Sequence, residues 1–273
     1  MNDISISVVS HNDCDNVRIL LQNLTEHTKG ISYHVYVVDN GEPDYSTASV
    51  LKNEFIDNEN ITFLTCKNNG FGAGHNSVID LIDSEYHAII NPDIRIETNV
   101  LPELTEYLKN HPETALVTPQ IRNADGSEQF LPRRTPNFRY LVLGRLSEKV
   151  KAFQKYRDEY TMRGIDCSSP VKIEFCTGCF MVTKTAFFKG VGGFDDKYFM
   201  YFEDVDLTER MQEFGNTMLI HDSYVIHDWH GGSRGNKQLM KIHIKSMFRY
   251  FLDRPRVRRQ LKKKLAKKAG TKA

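Results

Sequence analysis

No stretch of the 273 residues approaches the roughly eighteen consecutive apolar side chains that a bilayer-spanning helix needs. The first residues, Met1-Asn-Asp-Ile-Ser-Ile-Ser-Val-Val9, lack a charged segment followed by an apolar run and a cleavage site. They read as a β-strand, not as a secretion signal. Tryptophan occurs once, but 16 Phe and 12 Tyr bring the aromatic content to 11%, and hydrophobic residues make up 40%. A buried core is therefore within reach and disorder is not the default. Cysteine is scarce, five residues with irregular spacing, which argues for reduced thiols in the cytoplasm and against a disulfide framework. Cys176-x-x-Cys179 has no second pair at zinc-finger spacing, and its flanks read as strand, so both are assigned to structure.

Net charge is also nearly absent, at +1, but this conceals an asymmetry. Residues 241–273 carry thirteen Lys/Arg against the single acid Asp253, leaving the body before them acidic. A basic tail behind an acidic body points to an anionic partner, either nucleic acid or a membrane surface.

Strand and helix patterns alternate from the start. Ile4–Ser10, Tyr33–Val38, Ile61–Thr65 and Tyr86–Ile90 read as strands; Asn16–His27 and Ser46–Phe55 read as helices between them. A glycine loop, Asn68 to Asn76, is expected to open a helix over Ser77–Ile82. Further on, Ile173–Thr183 reads as strand, Ala186–Lys189 and Val205–Phe214 as helices, and Thr217–Ile220 and Ser223–Ile226 as two short strands. Ile242–Asp253 and Val257–Lys268 read as two basic amphipathic helices separated at Pro255. The alternation implies an α/β fold, a mostly parallel sheet flanked by helices. Ligands in such sheets bind beyond the carboxyl ends of the strands, where Ser10, Asp39, the glycine loop and Asn91-Pro-Asp93 all fall.

The glycine loop is spaced G-x-G-x-G, not G-x-G-x-x-G, and follows the third strand, which argues against a dinucleotide dehydrogenase. It either brings backbone N–H groups to a phosphate or sugar or is only a tight turn. Asp93 is placed to bind a hard divalent cation, although Asn-Pro-Asp is also turn chemistry. Glu203, Asp204 and Asp206 follow the apolar run Tyr198-Phe-Met-Tyr-Phe202, and carboxylates against such a wall gain a raised pKa suited to a general base. Asp206 fits equally well as a helix-start acid. His227 is placed to complete a cation site and Arg234 to meet a diphosphate.

In order, Val8-Val-Ser-His-Asn12, Val37-Val-Asp-Asn40, Asn68-Asn-Gly-Phe-Gly-Ala-Gly-His-Asn76, Asn91-Pro-Asp93, Cys176-Thr-Gly-Cys-Phe-Met-Val182, Gly192-Gly-Phe-Asp195, Phe199-Met-Tyr-Phe-Glu-Asp-Val-Asp-Leu207 and His227-Asp with Ser233-Arg234 form a set. This set, with His243 to Tyr250, resembles the inverting family-2 glycosyltransferases of GT-A fold, and within them the bacterial rhamnosyltransferase branch. The resemblance implies a transferase domain over residues 1–240, with a nucleotide-sugar half (1–118) and an acceptor half (119–240), followed by a basic helical tail (241–273).

It also implies roles. Ser10, His11, Asn12, Asp39 and Asn40 surround the donor's base, with Asn69, Gly70, Phe71, Gly72, Asn76, Asn91 and Arg234 along the nucleotide sugar. Asp93 and His227 hold Mg²⁺ or Mn²⁺. Asp204 is the base, with Glu203 beside it; Gly178, Cys179, Arg133 and Arg134 line the acceptor site. The donor implied is dTDP-β-L-rhamnose, whose methyl group suits the aromatic run Tyr198–Phe202. The acceptor expected is a saccharide, lipid-diphosphate-linked, at the inner face of the membrane. The tail, with Phe248, Tyr250, Phe251 and Leu252 as anchors, would hold the protein to anionic lipid and not to nucleic acid. Within the same fold a UDP-sugar donor is the alternative. A nucleotidylyltransferase is the rival enzyme class, but it needs a basic glycine-rich loop where His11-Asn-Asp-Cys-Asp15 stands.

Overall fold

The computed structural model describes residues 2–131, 133–166, 168–228 and 236–270. The first half alternates as read: β1 (Ile4–Ser10), α1 (Cys14–His27), β2 (Tyr33–Asp39), α2 (Thr47–Glu54), β3 (Ile61–Thr65), α3 (Phe71–Asn76), β4 (Tyr86–Ile90), β5 (Ile94–Arg95), α4 (Val100–Asn110) and β6 (Thr114–Arg122). Then come α5 (Phe138–Leu146), α6 (Gln154–Tyr160), β7 (Val171–Lys172), β8 (Phe180–Lys184), α7 (Thr185–Val191), α8 (Glu203–Met211), β9 (Asn216–His227) and α9 (Lys237–Gly270).

The strands form one sheet in the order β3-β2-β1-β4-β8-β6-β9-β5, with β7 also paired to β9. Six of the strands run one way; β8 is antiparallel between β4 and β6, and the two-residue strands β5 and β7 are antiparallel to β9. Every residue of β1 is buried, because helices cover both faces. On one face Leu20, Leu21 and Leu24 of α1, Leu51 of α2 and Leu101, Leu104 and Leu108 of α4 close the core. On the other, Phe188 of α7 and Leu207 and Met211 of α8 pack with Val78 and Ile82. Four-residue and three-residue spacing of these apolar positions is what makes each segment a helix with one buried face.

Several expectations are corrected. The glycine loop does not precede a helix over residues 77–82; the loop itself is the helix, α3, and residues 77–81 are turn. Its glycines are packing residues. A Cβ on Gly74 would meet Val9 Cγ1 at 2.8 Å and one on Gly72 would meet Phe194 Cβ at 2.6 Å. Only hydrogen lets this helix lie so close to β1. The two short strands before His227 are a single strand, β9, with a register irregularity opposite Pro119/Gln120. Within Ile173–Thr183 the continuous strand begins only at Phe180, with one isolated bridge before it, from Phe175 to Arg133. Pro255 does not separate a pair of helices: α9 runs through it. The missing N–H costs one helical hydrogen bond there, but the helix is pinned just before it, where the Tyr250 hydroxyl and Arg254 both reach Glu209 at 2.7 and 2.8 Å.

Candidate active site

The carboxyl ends of β1, β2 and β3 are in register, Ser10 opposite Asp39 and Asp39 opposite Thr65. Asp39 is buried, accepting from Gly41 N at 3.0 Å, Ala48 N at 2.9 Å and the Ser46 hydroxyl at 2.7 Å. It thereby shapes the β2–α2 loop as the wall of a depression of about 510 Å³, whose floor includes Thr65, Cys66 and Lys67. Ser10 is bonded to Thr47 beneath it. Asn12, in the left-handed region at φ 56°, accepts from Glu42 N at 2.8 Å, and His11 Nδ1 lies 3.2 Å from Asn40 O. These five residues are brought together as one rim. Thr65, Cys66 and Lys67 join it unannounced in the sequence, since a strand end carries no chemical motif.

The glycine loop meets the acidic stretch directly. Phe71 N donates to Phe199 O at 2.9 Å, and a Cβ on Gly70, whose φ is 109°, would sit 2.1 Å from the same oxygen. Asn76 does not face this junction. Its amide clasps Phe194, donating to O and accepting from N, both at 2.9 Å.

The acidic stretch enters α8 through two successive left-handed residues, Tyr201 (φ 70°) and Phe202 (φ 66°). Such conformations cost about 1–3 kcal/mol each in non-glycine residues and cluster where function needs a fixed geometry. They start the helix two residues earlier than its apolar spacing suggests, so that Glu203 and Asp204 stand in its first turn. Asp204 Oδ2 accepts from Gly178 N at 3.1 Å and Oδ1 from Val205 N at 2.9 Å. Burial raises its pKa, opposed by those two N–H groups and by the Arg133 guanidinium. Glu203 is buried with Oε2 unpartnered; burial, then the adjacent Asp204 charge, pushes its carboxyl well above the usual range. Both carboxyls are thus raised by burial, Glu203 the more strongly, while Asp204 has two N–H donors and Arg133 to favour its charged form. Asp206 stands apart from both, in a buried ion pair with Arg210 at 2.7 Å. The aromatic run does not form a sugar-facing wall as a whole. Tyr198 and Phe202 are buried in a cluster with Tyr250 of α9, while Phe199 is exposed.

Ile94 pairs with His227 across β5 and β9, which sets Asp93 beside the histidine. His227 Nε2 lies 3.3 Å from Asp93 Oδ2 without a hydrogen bond between them. Asn91 Oδ1, Asp93 Oδ1 and His227 Nε2 are all buried with no protein partner among the described residues. Gln129 fixes the ring: its amide N donates to His227 O at 2.6 Å, so its Oε1, 3.1 Å from Nδ1, must accept the Nδ1 proton. Nε2 is the ring nitrogen turned toward Asp93. Oxygen and imidazole donors in this state suit a divalent cation whose other ligands come from a bound diphosphate. Among the described residues no group of three or more His, Cys, Asp or Glu could hold such an ion unaided. Arg234 lies outside the described residues.

On the far side of Asp204, Arg133 bridges to Phe175 through its backbone and sets its guanidinium over Tyr160, 5.5 Å from the ring centroid. Both line a cavity of about 520 Å³ between α5, α6 and α9. Arg134 pairs with Glu174 at 3.5 Å and is turned away from it. Cys179 is buried beneath the site, its thiol pushed up to about 12 by burial, and its carbonyl accepts from Asn91 N at 2.9 Å. Cys176 is likewise buried and its thiol raised for the same reason.

This fold is that of the GT-A glycosyltransferases. GalNAc-T7, solved with UDP, GalNAc and Mn²⁺, superposes with a TM-score of 0.63 at 12% identity, covering 86% of this chain and 45% of that one. S. aureus TarS superposes at 0.59 and 13% identity, covering 83% and 37%. The chain thus spans less than half the length of either structure. The family model Glycosyl transferase family 2 matches residues 5–191, and the chain belongs to that family as a glycosyltransferase enzyme. It is 25% identical over 259 residues to rhamnosyltransferase WbbL of Escherichia coli (strain K12), covering 90% of this chain and 92% of the relative. It is also 25% identical over 237 residues to the N-acetylglucosaminyl-diphospho-decaprenol L-rhamnosyltransferase of Mycobacterium tuberculosis (strain CDC 1551 / Oshkosh), covering 81% and 75%.

Proposed function

We propose that this glycosyltransferase moves L-rhamnose from dTDP-β-L-rhamnose onto a hydroxyl of a lipid-diphosphate-linked saccharide, with inversion at the anomeric carbon. The observation that carries the reading is Asp204. Its carboxylate is held by two backbone N–H groups at the start of α8, between the rim beside Asp39 and the cavity beyond Arg133. The named rhamnosyltransferase relatives favour this donor over a UDP-sugar.

The nucleotide base sits in the depression beside Asp39, and the glycine loop lies along the diphosphate. Asn91, Asp93 and His227 are the residues that would hold Mg²⁺ or Mn²⁺, which when bound neutralises the charge growing on the departing diphosphate. Asp204 Oδ takes the proton from the acceptor hydroxyl as that oxygen attacks from the face opposite the nucleotide. Gly178 N and Val205 N keep the carboxylate oriented, so that one oxygen lone pair is aimed at the hydroxyl throughout. Burial and the Asp204 charge disfavour a second negative charge on Glu203 beside it.

No described helix is long and apolar enough to cross a membrane. We place the protein at the cytoplasmic face of the membrane, with the basic end of α9 against anionic lipid. Tyr250 is not one of its anchors, being buried; Phe248 and Leu252 are exposed. The side chains of most residues beyond Pro255 lie outside the described ones. A donor panel tests the assignment: incubation with dTDP-rhamnose, UDP-sugars and a GlcNAc-diphospho-lipid analogue, with products analysed by mass spectrometry and NMR. An α-rhamnoside formed from dTDP-rhamnose supports it; transfer from UDP-sugars only overturns the donor.

A further inference from the structure

The cavity beyond Asp204 is cationic. Arg145 of α5 and Arg157 of α6 line it together with Arg133, with Glu148 as the one carboxylate among the described residues of its wall and His243 of α9 opposite. Burial and the nearby Arg145 charge lower the pKa of His243, so the imidazole adds no positive charge of its own at neutral pH. Arg157 reaches Glu148 only at 4.0 Å, an exposed pair worth little. Two more positive charges thus converge on a recess whose inner wall, Arg133, faces the base.

The two helices that border the recess, α5 and α9, also carry exposed apolar side chains outside its lining. α5 and α9 lie antiparallel: Phe138 stacks on Phe251 at 4.4 Å, and at the other end Arg145 meets Met240. No residue of α5 is buried. Phe138, Val142 and Leu146 are 53%, 53% and 41% exposed, and Ile244, Phe248 and Leu252 are 43%, 52% and 77% exposed. Each trio recurs at four-residue intervals, so each forms one continuous stripe along its helix. Exposed stripes of this kind, on neighbouring helices beside a cationic recess, match an amphiphile with a polyanionic head.

We propose that Arg145 and Arg157, with Arg133, form the subsite for the diphosphate of the acceptor, and that the stripes on α5 and α9 receive its lipid. This rests on the acceptor class given above. The guanidinium forks meet the phosphate oxygens, the sugar hydroxyl projects past Arg133 to Asp204, and the lipid leaves over Phe138 and Val142 toward the membrane.

Three acceptors carrying one saccharide separate the contributions: a lipid diphosphate, a lipid-free diphosphate and a neutral methyl glycoside. The Arg145→Gln/Arg157→Gln variant should lose about tenfold or more in kcat/KM on both diphosphates, and less than about threefold on the methyl glycoside. Phe138→Ser/Val142→Ser should lose activity on the lipid diphosphate alone. Equal losses of the arginine variant on all three acceptors overturn the subsite, and undiminished use of the lipid acceptor by the serine variant overturns the lipid path. Calorimetric titration of the lipid diphosphate into each protein reads the same subsite without turnover. If wild type fails to transfer any sugar yet binds this lipid more tightly than the arginine variant does, the functional reading fails and the subsite stands. Equal binding by both proteins overturns the subsite. Unchanged thermal melting shows that the variants are folded.

Discussion

Gln129 holds His227 at both ends, donating to its carbonyl at 2.6 Å and accepting its Nδ1 proton at 3.1 Å. The residue whose backbone is fixed is the one whose ring is fixed, so Nε2 points one way, toward Asp93. Gln129 touches neither donor nor acceptor in the proposed chemistry; it is a positioning residue. Outer partners of this type are worth about 10–100-fold in metal affinity. Gln129→Leu should therefore raise the Mn²⁺ concentration for half-maximal activity by at least about tenfold, with turnover recovering at saturating ion. A loss that excess metal does not restore would mean that the contact only supports β9.

Glu203 and Asp204 should respond differently to substitution. A buried carboxyl that stays protonated is mimicked by an amide, so Glu203→Gln should keep activity within about threefold, far short of what losing a general base costs. The acid limb of kcat/KM should remain where it was, above the ordinary Asp range, because Asp204 is itself raised by burial. The sign for stability follows from the same shift. A folded pKa raised above the unfolded one stabilises fully below the unfolded value and loses that contribution as pH rises. Glu203→Gln should thus melt higher than wild type at pH 8, with the two converging towards pH 4. A lower melting temperature at pH 8 would show that Glu203 is ionised and stabilised by a partner.

Much of this was legible in advance, and the reasons differ by element. β1, β2 and β4 were readable because short β-branched runs between turn residues have few other uses. Glu203, Asp204 and Asp206 were readable as acids at a helix start, which is where α8 places them; that Asp206 is spent on a buried pair with Arg210 was not readable. The helix α3 was misplaced because glycines argue against helix on propensity, and only the contact with Val9 and Phe194 shows why they are tolerated. Gln129 and Arg145 were invisible: nothing local marks a glutamine that will meet a histidine 98 positions later in the chain.

The Asp206–Arg210 pair is a folding element in its own right. Arg210 also donates to Val191 O and Gly193 O, tying α8 to the turn after α7. Arg210→Met leaves the Asp206 charge buried and alone, which should cost about 3–5 kcal/mol in chemical denaturation. Adding Asp206→Asn should recover some of that loss; strictly additive losses would contradict the pairing.

Two buried histidines, His75 of α3 and His87 of β4, set the acid limit of the fold. Ser7 Oγ lies 2.7 Å from His75 Nδ1 and 3.1 Å from His87 Nε2, all three buried. Burial lowers the pKa of both rings, that of His87 to about 3. A folded pKa below the unfolded value of about 6.5 favours the neutral ring, so stability is intact above pH 6.5 and falls as pH drops towards 3. Melting temperature should decline steadily below pH 6.5, and His87→Gln should flatten that decline. An unchanged slope would place the acid sensitivity elsewhere.

The most direct measurement is turnover of Asp204→Asn beside its binding of dTDP. The amide keeps the size and the Val205 and Gly178 neighbours but cannot accept the acceptor's proton. Removal of a general base costs about 10²–10⁴-fold, so transfer should fall by at least that lower bound while stabilisation by dTDP with Mn²⁺ in thermal melts is unchanged. A variant that retained more than about a tenth of wild-type turnover, well inside that cost, would contradict the assignment of Asp204.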